Sequence, residues 1–353
     1  MSEIAESVGV SQSTVSRVLN GSPSRVPIAA ATKLRVEEAA RRMGYRPNPL
    51  ARGLRGAGTA LLGLIVREIS DPFFARAIEV IAAEVRRKGY NLVLGHARSS
   101  GEEALALAGV LEVRHCDGII LLGDLRYVPE VWSELIEGAV PVVALCEGPR
   151  SPGIPTVNAD NRLGMDMGLD YLYGLGHRRI GYIDAGWIGD VAERRQAFID
   201  FLAQHQLVAD EGYHQQAENE IQAGRKAFER LLLLPDPPTA IVCATDQVAV
   251  GALAAAVRAG VNVPQEMSVI GFDDIPFAQF TVPTLTTVHQ PLEEMARLAV
   301  KEVLDIIGGK KIAGAEVRYV PPVLIVRDSC ASPRKGPLLA EMRRLGKTNG
   351  GKP

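Results

Sequence analysis

At 353 residues the chain is too long for one small domain, and 47% apolar with 23% charged side chains is enough to build a large core. The net charge of −2 hides an asymmetry: residues 1–56 carry +5, residues 331–353 carry +5, and the stretch between them −12. A basic head and tail on an acidic body is the distribution expected when one end meets phosphate, although basic termini are also simply well solvated.

Four cysteines, Cys116, Cys146, Cys243 and Cys330, make no Cys-x-x-Cys pair. That pattern reads as reduced thiols rather than a disulfide framework or a zinc site. The six histidines are scattered without a His-x-x-x-His pair, so no metal and no cofactor are expected. The first residues are polar, and the longest apolar run near the start, Ala60–Val66, is far too short to span a bilayer. A cytoplasmic protein without a membrane partner is the expectation.

Residues 1–45 carry short helical patterns and no strand signal. Ser2–Ser7 reads as a helix burying Ile4, Ala5 and Val8, and Gly9-Val10 as a turn. Ser11 can cap a second helix, Gln12–Leu19, with Val15, Val18 and Leu19 on one face. A third amphipathic helix starts near Ala30, with Val36, Ala39, Ala40 and Met43 inward. Two short helices around a glycine turn, packed on a third, predict an all-α helix-turn-helix domain over 1–45. The outer face of the second helix holds Gln12, Ser13, Thr14, Ser16 and Arg17. Short hydrogen-bonding groups and one guanidinium suit base edges and phosphates, and they also suit an ordinary polar surface.

Residues 46–58 are rich in Pro, Gly and Arg, a hinge composition. From 59 to 330, apolar runs alternate with amphipathic stretches. The strand candidates are Leu61–Val66, Tyr90–His96, Gly118–Leu122, Val140–Cys146, Arg179–Asp184, Thr239–Ala244 and Met267–Asp273. Helical stretches lie between them, the first built on Phe74, Ala77, Ile78, Ile81, Ala82 and Val85. Alternating β and α predict parallel sheets with helices on both faces, and the length predicts two lobes. Residues 331–353 read as a basic, disordered tail. Its Leu338, Leu339, Met342 and Leu345 make about one helical stripe, where a tetramerising coiled coil needs several heptads.

Ordered motifs then accumulate: Ile4-Ala5-Glu6, the run Gly9 to Gly21, Gly44-Tyr45-Arg46-Pro47-Asn48, and Ala51-Arg52-x-Leu54 in the head and hinge. The body adds Asp71-Pro72-Phe73-Phe74, Asp117-Gly118-Ile119-Ile120, Gly176-His177-Arg178-Arg179-Ile180, Ala244-Thr245-Asp246, Ser268 to Asp274 and Pro283 to Pro291. Together they resemble the LacI/GalR family of bacterial repressors over residues 3–328.

The resemblance implies a helix-turn-helix head on a two-lobed, periplasmic-binding-protein-like α/β body. The amino lobe would be about 59–159 plus 289–320, and the carboxyl lobe about 160–288 plus 321–330. It implies a homodimer on a near-palindromic double-stranded operator, switched by a small-molecule effector, a carbohydrate in kind. Gln12 and Ser13 would read bases and Arg17 would enter the groove, with Ser11, Thr14, Ser16 and Asn20 positioning the helix on phosphates. In the hinge, Asn48, Ala51 and Arg52 would touch DNA and Leu54 would wedge open a minor-groove step, unless Leu54 tucks against the body instead.

Effectors in such bodies bind beyond the carboxyl ends of strands. Asp160, Asp246 and Asp273 fall there, with Phe73 and Phe74 after the first strand, and the resemblance implies Phe73, Phe74, Asp273 and further Trp187, Asp190, Arg194, Thr245 and Gln290. Phe74 reads equally as core, and Asp246 equally as a helix cap. The family's Arg-x-x-Gly-Phe motif has Ala197 in place of its Gly, and Asp184-Ala185-Gly186-Trp187 departs from the family's Gly-Pro turn. The sequence has no Walker loop, no Gly-x-Ser-x-Gly elbow and no His-Glu-x-x-His, so an enzyme is not expected. The alternative is a solute-binding protein with no regulatory role.

Overall fold

Three short helices open the chain: α1 (Ser2–Val8), α2 (Gln12–Asn20) and α3 (Ala30–Arg42). The structure, a computed structural model, describes residues 1–20, 27–45, 58–113, 115–124, 129–146, 153–186, 189–207, 210–310 and 316–334. Gly9 ends α1 with φ 67° and ψ 40°, the left-handed geometry that glycine adopts without steric cost. The helices close over Ile4, Ala5, Val8, Val15, Val36, Ala39 and Ala40. Val18 and Leu19 pack at the edge of this cluster. Met43 does not join it: it is the C-cap of α3 and is 42% exposed, and Tyr45 packs there in its place. The helix ends one residue before Met43, so its periodicity no longer aims that side chain inward.

The body holds two sheets. The first takes β1 (Leu61–Val66), β2 (Asn91–His96), β3 (Gly118–Leu122), β4 (Val142–Leu145), β5 (Thr156–Ala159) and β11 (Val317–Val320) in the order β11-β5-β4-β3-β1-β2, all parallel. The second takes β6 (Ile180–Ile183), β7 (His214–Gln215), β8 (Ala240–Cys243), β9 (Ser268–Asp273), β10 (Thr286–His289) and β12 (Val323–Ile325) in the order β12-β10-β9-β8-β6-β7. Its one antiparallel pair is β10 with β12. β12 enters from the other lobe immediately after β11, with no crossover helix to turn it parallel.

Helices cover both faces, as the run of apolar strand residues requires. In the first lobe, Leu62, Leu64, Val66, Ile120 and Leu122 share a core with Phe74, Ala77, Ile81 and Val85 of α4 (Pro72–Arg87) and Met295, Ala299 and Val303 of α11 (Leu292–Ile307). The alternate residues Ile65, Ile119, Leu121 and Ala144 face α5 (Gly101–Val113) through Ala104, Ala108 and Leu111, and α6 (Pro129–Glu137) through Leu135. The period of two along each strand decides which helix each side chain meets. The second lobe carries α7 (Asn161–Gly174), α8 (Gly189–Gln204), α9 (Ile221–Leu232) and α10 (Asp246–Ala259). α9 and α10 cross at glycines: a Cβ on Gly224 would lie 2.3 Å from the Val248 carbonyl oxygen, and one on Gly251 2.0 Å from that of Ile221.

Sequence periodicity did not reveal β5, β7, β10, β11, β12 or α6. β7 and β12 are only two and three residues long, and β5, β10 and β11 carry polar side chains, Asn158, Thr286-Thr287 and Arg318, that break an apolar run. The chain passes between lobes three times, after β5, after β10 and after β11, at Asp160, at Gln290-Pro291 and at Pro321-Pro322. Among the described residues, no helix is long and apolar enough to cross a membrane. Cys116, Cys146 and Cys243 are buried free thiols, and Cys330 is half-buried.

Candidate functional site

In the head, the N-terminus of α2 is built from hydroxyls. The Thr14 amide donates to Ser11 Oγ at 3.2 Å, which caps the helix. Ser11 Oγ also lies 2.8 Å from Ser13 Oγ and 2.9 Å from Thr14 Oγ1. Gln12 and Ser13 are exposed, Thr14, Ser16 and Arg17 half-buried, and Val15 beneath them is fully buried. The buried Val15 anchors the helix, so its polar face is presented at a fixed angle. Arg35 of α3 donates to the Val8 carbonyl oxygen at 2.5 Å, tying the third helix to the end of the first. Asn20 closes α2, and its side chain lies outside the described residues. Asn48, Ala51, Arg52 and Leu54 lie outside them entirely.

A cavity lined by residues of both lobes opens between them. Its polar lining comes from the carboxyl ends of strands, where open parallel sheets place ligands. Arg67 follows β1, Asp124 follows β3, Cys146 follows β4, Thr245 follows β8, Asp273 ends β9 and Gln290 follows β10. Asp71, Phe73 and Phe74 open α4, Asp190, Val191 and Arg194 open α8, and Asn219 precedes α9.

Arg194 is the hub of the second lobe's wall and is only 3% exposed. Its Nη1 donates to Asp273 Oδ1 at 3.2 Å and to the Ala244 carbonyl oxygen at 2.8 Å, and its Nε to Asn161 Oδ1 at 2.9 Å. The guanidinium also stacks over the Phe272 ring, 3.7 Å from the centroid. Gln290 Nε2 donates to the same Asp273 oxygen at 2.7 Å. Burial pushes the Asp273 carboxyl up to about 7 against the opposing pull of Arg194. Burial also raises Asp190, whose Oδ1 accepts from Asn161 Nδ2 at 3.0 Å.

The first lobe's wall is organised by Asp71. Its Oδ1 accepts the Phe73 amide at 2.9 Å, capping α4. Its Oδ2 accepts Asn219 Nδ2 at 2.7 Å, a hydrogen bond that crosses from one lobe to the other. Thr245 holds Asn219 in place by donating to its Oδ1 at 2.7 Å. Phe73 and Phe74 meet edge to face at 5.4 Å, with Arg67 over the Phe74 ring at 4.8 Å.

Of the sequence candidates, Phe73, Phe74, Asp190, Arg194, Thr245, Asp273 and Gln290 come together at this cavity. Asp160 sits apart, capping α7 by accepting the Leu163 amide at 2.9 Å. Asp246 is wholly buried behind the wall, where it accepts the Ile275 amide at 2.9 Å and the Thr287 hydroxyl at 2.5 Å. Burial and the neighbouring Asp273 and Asp274 carboxylates push its pKa far upward. Trp187 lies outside the described residues. Sequence reasoning missed Arg67, Asp71, Asp124, Cys146 and Asn219 as lining. For Asp71 a signal existed, because Asp before Pro-Phe-Phe at the end of a strand is a helix cap in cleft position.

Residues 1–48 match the family described as bacterial regulatory proteins, lacI family, and residues 169–330 match the periplasmic binding protein-like domain. The HTH-type transcriptional repressor CytR of Escherichia coli is 34% identical over 330 residues, covering 93% of this chain and 95% of its own. The HTH-type transcriptional repressor PurR of Pectobacterium carotovorum is 33% identical, covering 96% and 97%. Among solved structures, the lac repressor dimer bound to operator and the anti-inducer ONPF has a TM-score of 0.83 over 93% of this chain and 98% of its own, a likeness of fold at 24% identity. The complex of the transcriptional regulator CelR with cellobiose has a TM-score of 0.69 at 29% identity, covering 92% and 98%. With relatives this similar along almost its whole length, the chain belongs to the lacI family of bacterial regulatory proteins.

Proposed function

We propose that the protein is a cytoplasmic transcriptional repressor that binds a near-palindromic operator as a homodimer and is switched by a small carbohydrate-like effector in the inter-lobe cleft. The head of 1–45 is the DNA reader, 46–58 the hinge and 59–330 the effector-binding body. Gln12 and Ser13 read base edges, Ser11, Thr14 and Ser16 seat the helix on phosphates, and Arg17 enters the groove. Phe73, Phe74, Asp190, Arg194, Thr245, Asp273 and Gln290 contact the effector.

One observation carries this: a single chain joins an exposed polar helix face on a packed three-helix head to a buried polar cleft between two lobes. The lac repressor seated on operator and CelR holding cellobiose support the operator and the sugar class. Exposed apolar side chains support dimerisation: Phe280 at 76% and Val282 at 83% in the second lobe, and Val113 at 75% in the first. One head covers one half-site, so a pair is needed for a palindrome. The protein is a switch and not an enzyme: effector binding changes lobe closure, and closure changes how two heads are presented.

The test is selection of duplexes from a random library by the full-length protein, followed by gel retardation with and without a sugar panel. A recovered inverted repeat whose retardation responds to one panel member is the expected result. Sugar binding without any duplex preference would make the protein a solute-binding protein instead.

A further inference from the structure

We propose that Asp274 and Arg327 are positioning residues of the cleft. With His289 they tie β10 and β12, the strands at which two lobe crossings leave and enter the second lobe, to the strand end that carries Asp273. This deepens the effector reading, because the wall they hold is the one assigned to the effector. Asp273 ends β9 and lies opposite His289 of parallel β10. Toward the cavity, Gln290 Nε2 donates to Asp273 Oδ1 at 2.7 Å, and both residues line it. Their chain neighbours make a second rung outside that lining, where His289 Nδ1 donates to Asp274 Oδ2 at 3.0 Å. Gln290 and Pro291 then carry the chain into the first lobe.

Arg327, just past β12, completes the rung. Its Nη2 donates to Asp274 Oδ1 at 2.7 Å, its Nη1 to the Leu285 carbonyl oxygen at 2.8 Å, and its amide to Thr286 Oγ1 at 2.9 Å. Asp274 thus receives one donor from β10 on one oxygen and one from the β12 side on the other. Burial raises its carboxyl, but the hydrogen bonds from His289 and Arg327 outweigh burial and hold it below its ordinary value. The backbone shows what the rung restrains. Asp273 has φ +118° and Asp274 φ +56°, two consecutive residues in a region that side chains disfavour. Such a conformation persists only where surrounding contacts over-determine it. Arg194 and Gln290 act on the Asp273 carboxyl, Asp246 on the Ile275 amide, and the outer rung on the residue between. A rotation of the lobes turns about the crossings, so it must carry the Asp274 contacts with it or break them.

The test uses the full-length protein and no ligand. Cys146 lines the cavity from the first lobe, and Cys243 is buried in the core of the second. Both are followed by iodoacetamide labelling and peptide mass spectrometry. Arg327→Met removes a charge-assisted hydrogen bond and leaves Arg194, Asp273 and Gln290 in place. It should speed Cys146 labelling about tenfold while Cys243 keeps the parent's rate. Arg327→Lys keeps a cation beside Asp274 and should restore most of the protection. If Arg327→Met does not fold, Asp274→Asn, which keeps the shape and one acceptor, should give the same selective gain in smaller measure. Cys146 labelled at the parent's rate in the folded variant overturns the inference. A gain shared equally by Cys243 also overturns it, since that marks general destabilisation. No effector enters this measurement, so the two readings fail separately: selective opening in a protein whose operator retardation answers to no sugar keeps the rung and loses the effector.

Discussion

At Asp273 both backbone and side chain are held away from their resting preferences. Its φ is +118°, a region side-chain-bearing residues rarely occupy, and its carboxyl is pushed from 3.8 to about 7. Such strain persists only where surrounding contacts over-determine it, and here Arg194 and Gln290 do so. The raised value has a defined sign. Below the unfolded value both states hold the proton. As pH climbs from about 4 to 7 only the unfolded chain ionises, so the folded state progressively loses stability from this group. Asp273→Asn should therefore gain stability relative to the parent between pH 5 and pH 7.5, read from urea unfolding at each pH. A gap that narrows as pH rises would contradict this. In the head, Gln12 is exposed above a buried Val15, so its loss should leave the fold intact. Gln12→Ala should cost about 1–3 kcal/mol of binding to the selected operator and almost nothing on random duplex. Equal losses on both would remove Gln12 from base reading.

Elements are placed by features a single side chain does not reveal. The crossing of α9 and α10 is a backbone-to-backbone contact in which Gly224 and Gly251 leave no room for a Cβ. The obstacle is carbonyl oxygen and not a side chain that could swing away. Gly251→Ala should thus destabilise the body by about 1–3 kcal/mol or more, despite alanine's better helix propensity. A urea midpoint at or above the parent's would show that the helices can part freely. Asp246 illustrates the same scale. It begins α10 but braces the segment after β9 through the Ile275 amide and β10 through Thr287. Gly271 on β9 is bare because a Cβ there would meet Asp246 Oδ1 at 2.0 Å.

For the whole molecule, the Asp71–Asn219 bond joins the two lobes across the cavity, between partners 148 positions apart in the chain. A hydrogen bond to a charged acceptor contributes about 1.5–3 kcal/mol, so its removal should raise the open population about tenfold or more. Asn219→Ala should accordingly speed alkylation of Cys146, which lines the cleft, while Cys116 and Cys243, buried elsewhere, stay slow. Unchanged Cys146 reactivity, followed peptide by peptide by mass spectrometry, would mean that this bond does not hold the lobes together. Amino acid order by itself determined the helix-turn-helix head, the alternation that builds two sheets, and Asp273 at a strand's carboxyl end, because periodicity and capping are local, whereas Arg194 is placed in the cleft by family resemblance. Tertiary structure alone decided that Asp246 and Asp160 turn away from the cavity, that Met43 faces solvent, that β12 runs antiparallel, and that Asn219 meets Asp71. Each of those depends on where a distant segment comes to lie, and that position is set by the packing of both lobes together.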